Sequence, residues 1–360
     1  MYNDGVKSPI GIGLIGLGGI AQKAHLPAYR KLQAEGLARI VAVCDTHMDR
    51  TTQTAAEYGV DHVFSDHRGL LALPEVDVVD ICTPNALHRL IALDAFAAGK
   101  HVLCEKPIAR NAGEGREMLA ASEAAGRRLM VGLNLRYSGG ALAVKRFIDD
   151  GKLGNIYYAR AQTLRRRGIP GHGVFIDKEI QGGGPLIDIG VHILDLTLWF
   201  MGYPKPVSVA GAAYAEFGRR TGVLNLRGNW DPAAFTVEDL AAGFIRFENG
   251  ATLTIESSFA ANIERDVFQT QLFGSSGGAV VDPFDAGNTK IFREESGSLT
   301  DTTLPFQAKS AFYEDEIRDF LTAIVEDRPV PIPAGQALTV TEIIDALYLS
   351  AETGHEVRLG

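Results

Sequence analysis

Apolar residues in the first third of the chain come in short unbroken runs, and segments of helical period fall between them. The runs over 10–15, 38–44, 63–64, 76–83, 101–104 and 129–133 read as strands. The intervening 21–35, 50–58, 88–98 and 112–125 read as helices. Strands apolar on both faces, alternating with helices, indicate a parallel sheet covered on both sides. The rhythm then changes. One helical segment spans 138–150, and longer stretches with partial alternation follow over 156–164, 207–214, 240–247, 252–259 and 267–273. These read as a large open sheet with one helical face. Glu248-Asn249-Gly250 joins two of them as a hairpin turn, because Asn-Gly takes up left-handed turn backbone readily. Two late helices are expected over 311–325 and 337–351. The pattern predicts an α/β protein of two domains, 1–133 and 134–360, with the late helices able to pack back on the first.

Composition narrows this picture. A chain of 360 residues exceeds one comfortable small core, and 46% apolar with 22% charged residues is globular composition. The net charge of −9 argues against a nucleic-acid surface, which needs positive charge to displace counterions. Arg165, Arg166 and Arg167 form the only dense basic run. Cys44, Cys82 and Cys104 each lie in or just after an apolar run, so they read as buried thiols. Their odd number and spacing fit neither a disulfide framework nor a zinc site, and no metal is expected. Residues 1–9 lack the order of a targeting peptide, and no apolar run reaches membrane-spanning length. The expected location is therefore cytoplasmic, without a membrane partner.

Chemistry enters at the strand ends. Gly16-Leu17-Gly18-Gly19-Ile20-Ala21 directly follows the first strand and opens the first helix. Gly16 permits the tight turn, Gly18 lets backbone approach a pyrophosphate, and Ala21 allows close helix–sheet packing. Asp45, ending the second strand, can hydrogen-bond the ribose hydroxyls of NAD and would repel a 2′-phosphate. Arg50 offers partial compensation, which leaves NAD preferred over NADP. Asp45 can equally cap the next helix. The loop Thr83-Pro84-Asn85-Ala86-Leu87-His88 leaves another strand end, where ligands bind in parallel sheets, and Asn85 can cap the helix that follows.

Glu105-Lys106-Pro107 emerges from a third strand. Lys106 at that edge can stabilise a developing alkoxide, although a surface ion pair with Glu105 is the plainer alternative. Pro107 restrains the backbone before it and can be cis or trans. In 182–198, Asp188 and His192 stand four apart on a helix that is otherwise nearly all apolar, and Asp195 falls on the same stripe. Buried charge is costly unless paired or used. The two can satisfy each other, or His192 can act as a general base.

Taken together, Gly16-to-Ala21, Glu105-Lys106-Pro107 and Gly183-Gly184-Pro185 with Asp188-Ile189-Gly190-Val191-His192 resemble the Gfo/Idh/MocA oxidoreductase family, across nearly the whole chain. The resemblance implies an N-terminal Rossmann domain and a C-terminal α/β domain with a large, mainly antiparallel open sheet, often forming homodimers or homotetramers. It implies a catalytic triad of Lys106, Asp188 and His192, acting on sugars, cyclitols and their derivatives. It sets Gly16, Gly18, Gly19, Ile20, Asp45, Arg50, Thr83, Pro84, Asn85, His88 and Glu105 near the cofactor. Asn134 and Arg136 match the crossing between domains, with Arg136 near cofactor or substrate. Such proteins differ in the pocket, here 164–172, 177–181 and 229–235. Arg165, Arg166, Arg167, His172, Lys178 and Trp230 are candidates, with Arg166 and His172 taken as substrate contacts. The implied activity is an NAD(P)-dependent sugar or polyol dehydrogenase. Two alternatives stand beside it: an NAD-dependent glycosidase working through transient oxidation, and a non-catalytic dinucleotide sensor.

Overall fold

The computed structural model describes residues 9–304 and 312–360. Residues 1–8, on which the reading of the N-terminus rests, and residue 311, expected to open a late helix, lie outside the described residues. Two compact units emerge. The first runs to Gly132 and includes the segment ending at Leu338. The second begins at Leu133 and includes Thr339–Gly360.

Six strands form the sheet of the first unit: β1 (Ile10–Ile15), β2 (Ala38–Cys44), β3 (His62–Phe64), β4 (Val78–Ile81), β5 (His101–Glu105) and β6 (Leu129–Gly132). All pairs are parallel, in the order β3-β2-β1-β4-β5-β6. Every residue of β1, β4, β5 and β6 is buried, as the unbroken apolar runs require of strands covered on both faces. The chain winds outward from β1 in one direction and from β4 in the other. That reversal opens a crevice at the carboxyl ends of the two strands. The helices are α1 (Leu26–Ala34), α2 (Met48–Tyr58), α3 (His67–Leu71), α4 (Asn85–Ala97) and α5 (Ala112–Ala125). The short α3 escapes periodicity, but Asp66 caps it by accepting the Arg68 amide at 2.9 Å. The helix expected from 88 starts at Asn85 instead. Pro84 holds the cap position with no side-chain bond, so Asn85 is inside the helix and buried rather than capping it.

The second unit is a nine-stranded sheet. Its strands are β7 (Ile156–Leu164), β8 (Pro206–Tyr214), β9 (Leu240–Phe247), β10 (Thr252–Ser258), β11 (Val267–Gly274), β12 (Gly278–Val281), β13 (Lys290–Glu295), β14 (Ser298–Thr303) and β15 (Val357–Arg358). The order is β14-β13-β12-β11-β7-β10-β9-β8-β15, with only β7 and β10 parallel. Asn249-Gly250 makes the β9–β10 turn as expected, with Gly250 at φ 83°. Strands β12 to β15 were not foreseen. β13 buries only Ile291 and β14 is largely polar and exposed, so no continuous buried face imprints alternation there.

Helices α6 (Gly139–Asp149), α7 (Lys178–Gln181) and α8 (Val191–Phe200) also belong to this unit. Of the two late helices, α9 (Phe312–Val325) packs on α1 and β6 in the first unit. The other, α10 (Ala334–Thr353), starts in the first unit and ends in the second. Leu347 of α10 fills the space over Gly211 and Gly243, where an added Cβ would come within 2.5 and 2.4 Å of it. The opposite sheet face carries the half-exposed row Tyr158, Arg160 and Gln162, matched across strands by Phe273, Gln271 and Gln269. No helix among the described residues is long and apolar enough to cross a membrane.

Candidate active site

At the crevice of the first unit, Gly16 has φ 88°, and an added Cβ would strike the Cys82 carbonyl oxygen at 2.6 Å. Only glycine satisfies both demands. Gly18 and Gly19 have open space where a Cβ would project, so their backbone can be approached closely. The chain then enters one π-helical turn, Ala21–His25, before α1. Amides at a helix start carry partial positive charge suited to phosphate. Asp45 braces this turn: Oδ2 accepts the Leu17 amide at 2.8 Å, and Oδ1 accepts the His47 amide at 2.9 Å. Arg50 Nη1 lies 3.3 Å from Asp45 Oδ2. A cavity of about 330 Å³ opens beside the turn, lined by Leu17, Gly18, Gly19, Gln22, Arg50, Gln53, Thr54 and Glu57. Of these, Gln22, Gln53, Thr54 and Glu57 were not singled out, since helical residues on a polar face carry no local mark. Thr83 Oγ1 is buried beside Gly16 with no hydrogen-bond partner among the described residues. Open backbone, a cavity of ligand size and an orphaned hydroxyl fit a dinucleotide.

Three residues expected near the cofactor are buried, and two of them make inward hydrogen bonds. Glu105 is 7% exposed; Oε1 lies 2.9 Å from His25 Nε2, and Oε2 accepts the Lys106 amide at 3.1 Å. His88 is fully buried, its ring nitrogens 2.9 Å from the Pro107 carbonyl and 3.0 Å from that of Thr83. Burial holds its pKa below the usual value, while the two carbonyls act against that shift. Asn85 is buried in α4. Lys106 stands apart: in 101–109 it is the one residue not buried. The Lys106–Pro107 bond is cis.

The three cysteines are free and buried. Burial and Asp80 push the Cys82 thiol up to about 12. Sequence spacing shows no compact ligand set, yet folding brings ligand atoms of His25, Asp80 and Cys82 within 4.8 Å of one another. Hydrogen bonds to Asp80 and Glu105 occupy both His25 nitrogens there.

In the second unit, the helix expected over 185–198 opens with a π-helical turn, Leu186–Gly190, and continues as α8. From Gly183 to Leu198, only Asp188 and His192 are not buried. The glycines before it have a steric cause. An added Cβ on Gly183 would stand 2.1 Å from the Tyr348 hydroxyl, and one on Gly184 2.2 Å from the Glu238 carbonyl. Glu238, itself buried, accepts the Gly184 amide at 2.9 Å, the Leu186 amide at 3.1 Å and the Tyr348 hydroxyl at 2.8 Å. Burial raises its pKa while these bonds pull the other way. Ser257 Oγ donates to the Pro185 carbonyl at 2.8 Å. The start of the helix is thus held by residues 52 to 165 positions away, which spacing could not reveal.

Asp195 leaves the expected stripe. It is 1% exposed and pairs with Arg136, 4% exposed, at 2.9 Å (Nε–Oδ2) and 2.5 Å (Nη2–Oδ1). Tyr203 bonds to both. Arg136, expected at cofactor or substrate, is a buried cation paired with Asp195. The arginine run also sorts differently. Arg166 is exposed and donates to the Glu264 carbonyl at 2.9 Å, and Arg167 donates to Ala261 and Asn262. Arg165 is half-buried over the Phe259 ring, with its pKa lowered by burial and Arg227, and raised by Asp188. The Asp188 charge thus acts on Arg165. His172 is exposed, with its ring edge-on to Phe175 at 5.8 Å. Trp230 packs on the cluster of Ile169, Ile189, Phe235, Val237 and Phe259, and Nε1 donates to the Gly218 carbonyl at 2.6 Å. Lys178 is exposed on α7.

A doubly wound unit with this glycine turn, in one chain with a buried helix exposing only an acid and an imidazole, defines a nicotinamide-dependent dehydrogenase. The model of the oxidoreductase family with an NAD-binding Rossmann fold matches residues 10–133, and that of the GFO/IDH/MocA C-terminal domain matches 141–280. The chain belongs to the Gfo/Idh/MocA family of oxidoreductases. It is similar to a D-glucoside 3-dehydrogenase of Escherichia coli (strain K12), with 36% identity over 98% of each chain. It is 29% identical to a levoglucosan dehydrogenase of Pseudarthrobacter phenanthrenivorans (strain DSM 18606 / JCM 16027 / LMG 23796 / Sphe3), over 75% of this chain and 73% of that one. A solved levoglucosan dehydrogenase in complex with NADH and levoglucosan shares its fold with a TM-score of 0.84 and 26% identity, over 97% of this chain and 99% of that one. The protein binds NAD(H) and is an NAD(P)-dependent dehydrogenase of the sugar and polyol class.

Proposed function

We propose that the protein oxidises a secondary alcohol of a sugar with NAD, using Lys106, Asp188 and His192. One observation carries the reading: in two otherwise buried segments, 101–109 and 183–198, these three residues alone are not buried. Ionisable groups left reachable among apolar neighbours are groups kept for use. His192 takes the hydroxyl proton, imidazole being a side chain suited to proton transfer near neutrality. Lys106 donates a hydrogen bond to the same oxygen and stabilises its negative charge. Asp188 orients the sugar or the imidazole. When bound, NAD supplies the hydride acceptor.

NAD is preferred over NADP because Asp45 and Glu57 bring negative charge to the turn and its cavity, while Arg50 is already engaged by Asp45. The half-exposed face along β7, β10 and β11 is the surface for a homodimer or homotetramer, read by light scattering. A D-glucoside is the first substrate to try, given the relative with 36% identity. The test is a panel of glucosides, sugars and polyols with NAD and with NADP, following cofactor absorbance, beside His192→Ala at saturating substrates. Net NAD reduction lost in His192→Ala is the expected result; unchanged turnover removes His192 from its role. Product release without net reduction would favour the glycosidase alternative.

A further inference from the structure

Lys106 is held by a buried charge cluster that the proposed chemistry does not use. His25 is the last residue of the π-helical turn that follows the glycine turn, and it is 1% exposed. Its Nδ1 lies 2.7 Å from Asp80 Oδ2 on β4, and its Nε2 lies 2.9 Å from Glu105 Oε1 at the end of β5. Both carboxylates are buried, and Cys82 Sγ lies 3.6 Å from the second Asp80 oxygen. With both carboxylates ionised, a ring bonded to each carries a proton on both nitrogens and is the imidazolium. Burial alone would lower its pKa, but the Asp80 charge carries it well above the usual value.

The consequence for Lys106 is geometric. With Oε1 fixed by His25, Glu105 turns Oε2 to the Lys106 amide at 3.1 Å. Gly132 closes the other side: an added Cβ there would stand 3.4 Å from Glu105 Oε1. Beyond Lys106, the Pro107 carbonyl is 2.9 Å from His88 Nδ1. Without its cation, the Asp80–Glu105 pair would be two carboxylates buried together, and one would move or take up a proton.

We propose that His25 is a positioning residue for Lys106, acting through Glu105. This rests on Lys106 being catalytic, so the test separates the two claims. Kinetics of wild type, His25→Asn, Lys106→Met and the double variant are measured well below each melting temperature, with high enzyme concentration for the slow forms. His25→Asn is expected to lower kcat about 10- to 100-fold, as a misplacement near 1 Å does, with KM for NAD changed less than about twofold. In the Lys106→Met background, the same change should have no further effect on kcat, because the group it positions is gone. An equal loss in both backgrounds, or a loss matching only the unfolded fraction, would make His25 structural and overturn the proposal. Wild-type kcat in Lys106→Met would sink the catalytic lysine and this inference with it.

Discussion

Replacing Gly183 with alanine tests how tightly the start of the proposed catalytic helix is seated. The new methyl carbon would stand 2.1 Å from the Tyr348 hydroxyl oxygen, 2.6 Å from Cζ and 3.0 Å from Cε2. Ordinary contact begins near 3.4 Å, so the ring must retreat by about 1 Å. That retreat breaks the 2.8 Å bond to Glu238, whose other acceptor contacts hold the Gly184 and Leu186 amides. Overpacking costs about 1–3 kcal/mol, and loss of a hydrogen bond to a buried charged acceptor about 1.5–3 kcal/mol. Together these predict a loss of about 3–5 kcal/mol, or a fall in Tm of roughly 10 °C. Scanning calorimetry reads the stability, and NAD reduction by the folded fraction reads the accompanying loss of kcat. Tyr348→Phe leaves Cζ in the way and should not rescue Gly183→Ala. Tyr348→Ala makes room, so that double variant should lose less than the two singles together. A Gly183→Ala protein melting within about 1 °C of wild type would refute the argument, because no steric seat would then exist.

Other outcomes follow from single interactions. His101 is 8% exposed, accepts the Arg128 amide at 2.9 Å, and has its pKa lowered to about 4 by burial and two arginines. Below about pH 6.5 the unfolded chain gains a proton that the fold refuses until about pH 4, so about 3 kcal/mol is lost across that window. Urea midpoints at pH 7 and 4.5 should diverge more for wild type than for His101→Asn. Arg136→Met leaves Asp195 buried without its cation and should cost about 3–5 kcal/mol by urea unfolding; substituting both with apolar residues should recover much of it. Arg165→Met should change KM for the sugar severalfold, because the Asp188 charge acts on its guanidinium, whereas Arg166→Met should change it less, since Arg166 is exposed and donates to the Glu264 carbonyl. Steady-state kinetics on the best substrate of the panel decides between them.

What could be read from the chain was what local sterics and periodicity imprint on it. Gly16 was legible because a turn at positive φ against a neighbouring carbonyl admits no other residue. The parallel strands were legible because burial on both faces forbids polar interruption. Asp188 and His192 stood out because charge in an apolar helix needs a reason. The failures have equally physical causes. Strand β14 is polar and largely exposed, so nothing constrains its pattern. A π-helical turn changes one turn of hydrogen bonding without changing which residues are apolar. Asp195 looked like its stripe neighbours, and only the arrival of Arg136 from 59 positions away made it structural.

The deeper omission concerns carboxylates. Glu105 and Glu238 are both buried, and each accepts main-chain amides of a proposed catalytic segment: Lys106 in one unit, and Gly184 and Leu186, on the two Glu238 oxygens, in the other. A buried carboxylate is a poor source of stability, since desolvation offsets most of its attraction. It is a good source of position, because its charge compels nearby donors to converge on it. His25 converges on one from the turn after the glycines, and Tyr348 on the other from α10. Lys106 and the Asp188–His192 helix are thus each held through the backbone. A site built this way should tolerate loss of an oriented side chain far better than loss of the carboxylate that seats its backbone. Glu238→Ala should therefore reduce kcat more than Asp188→Asn does.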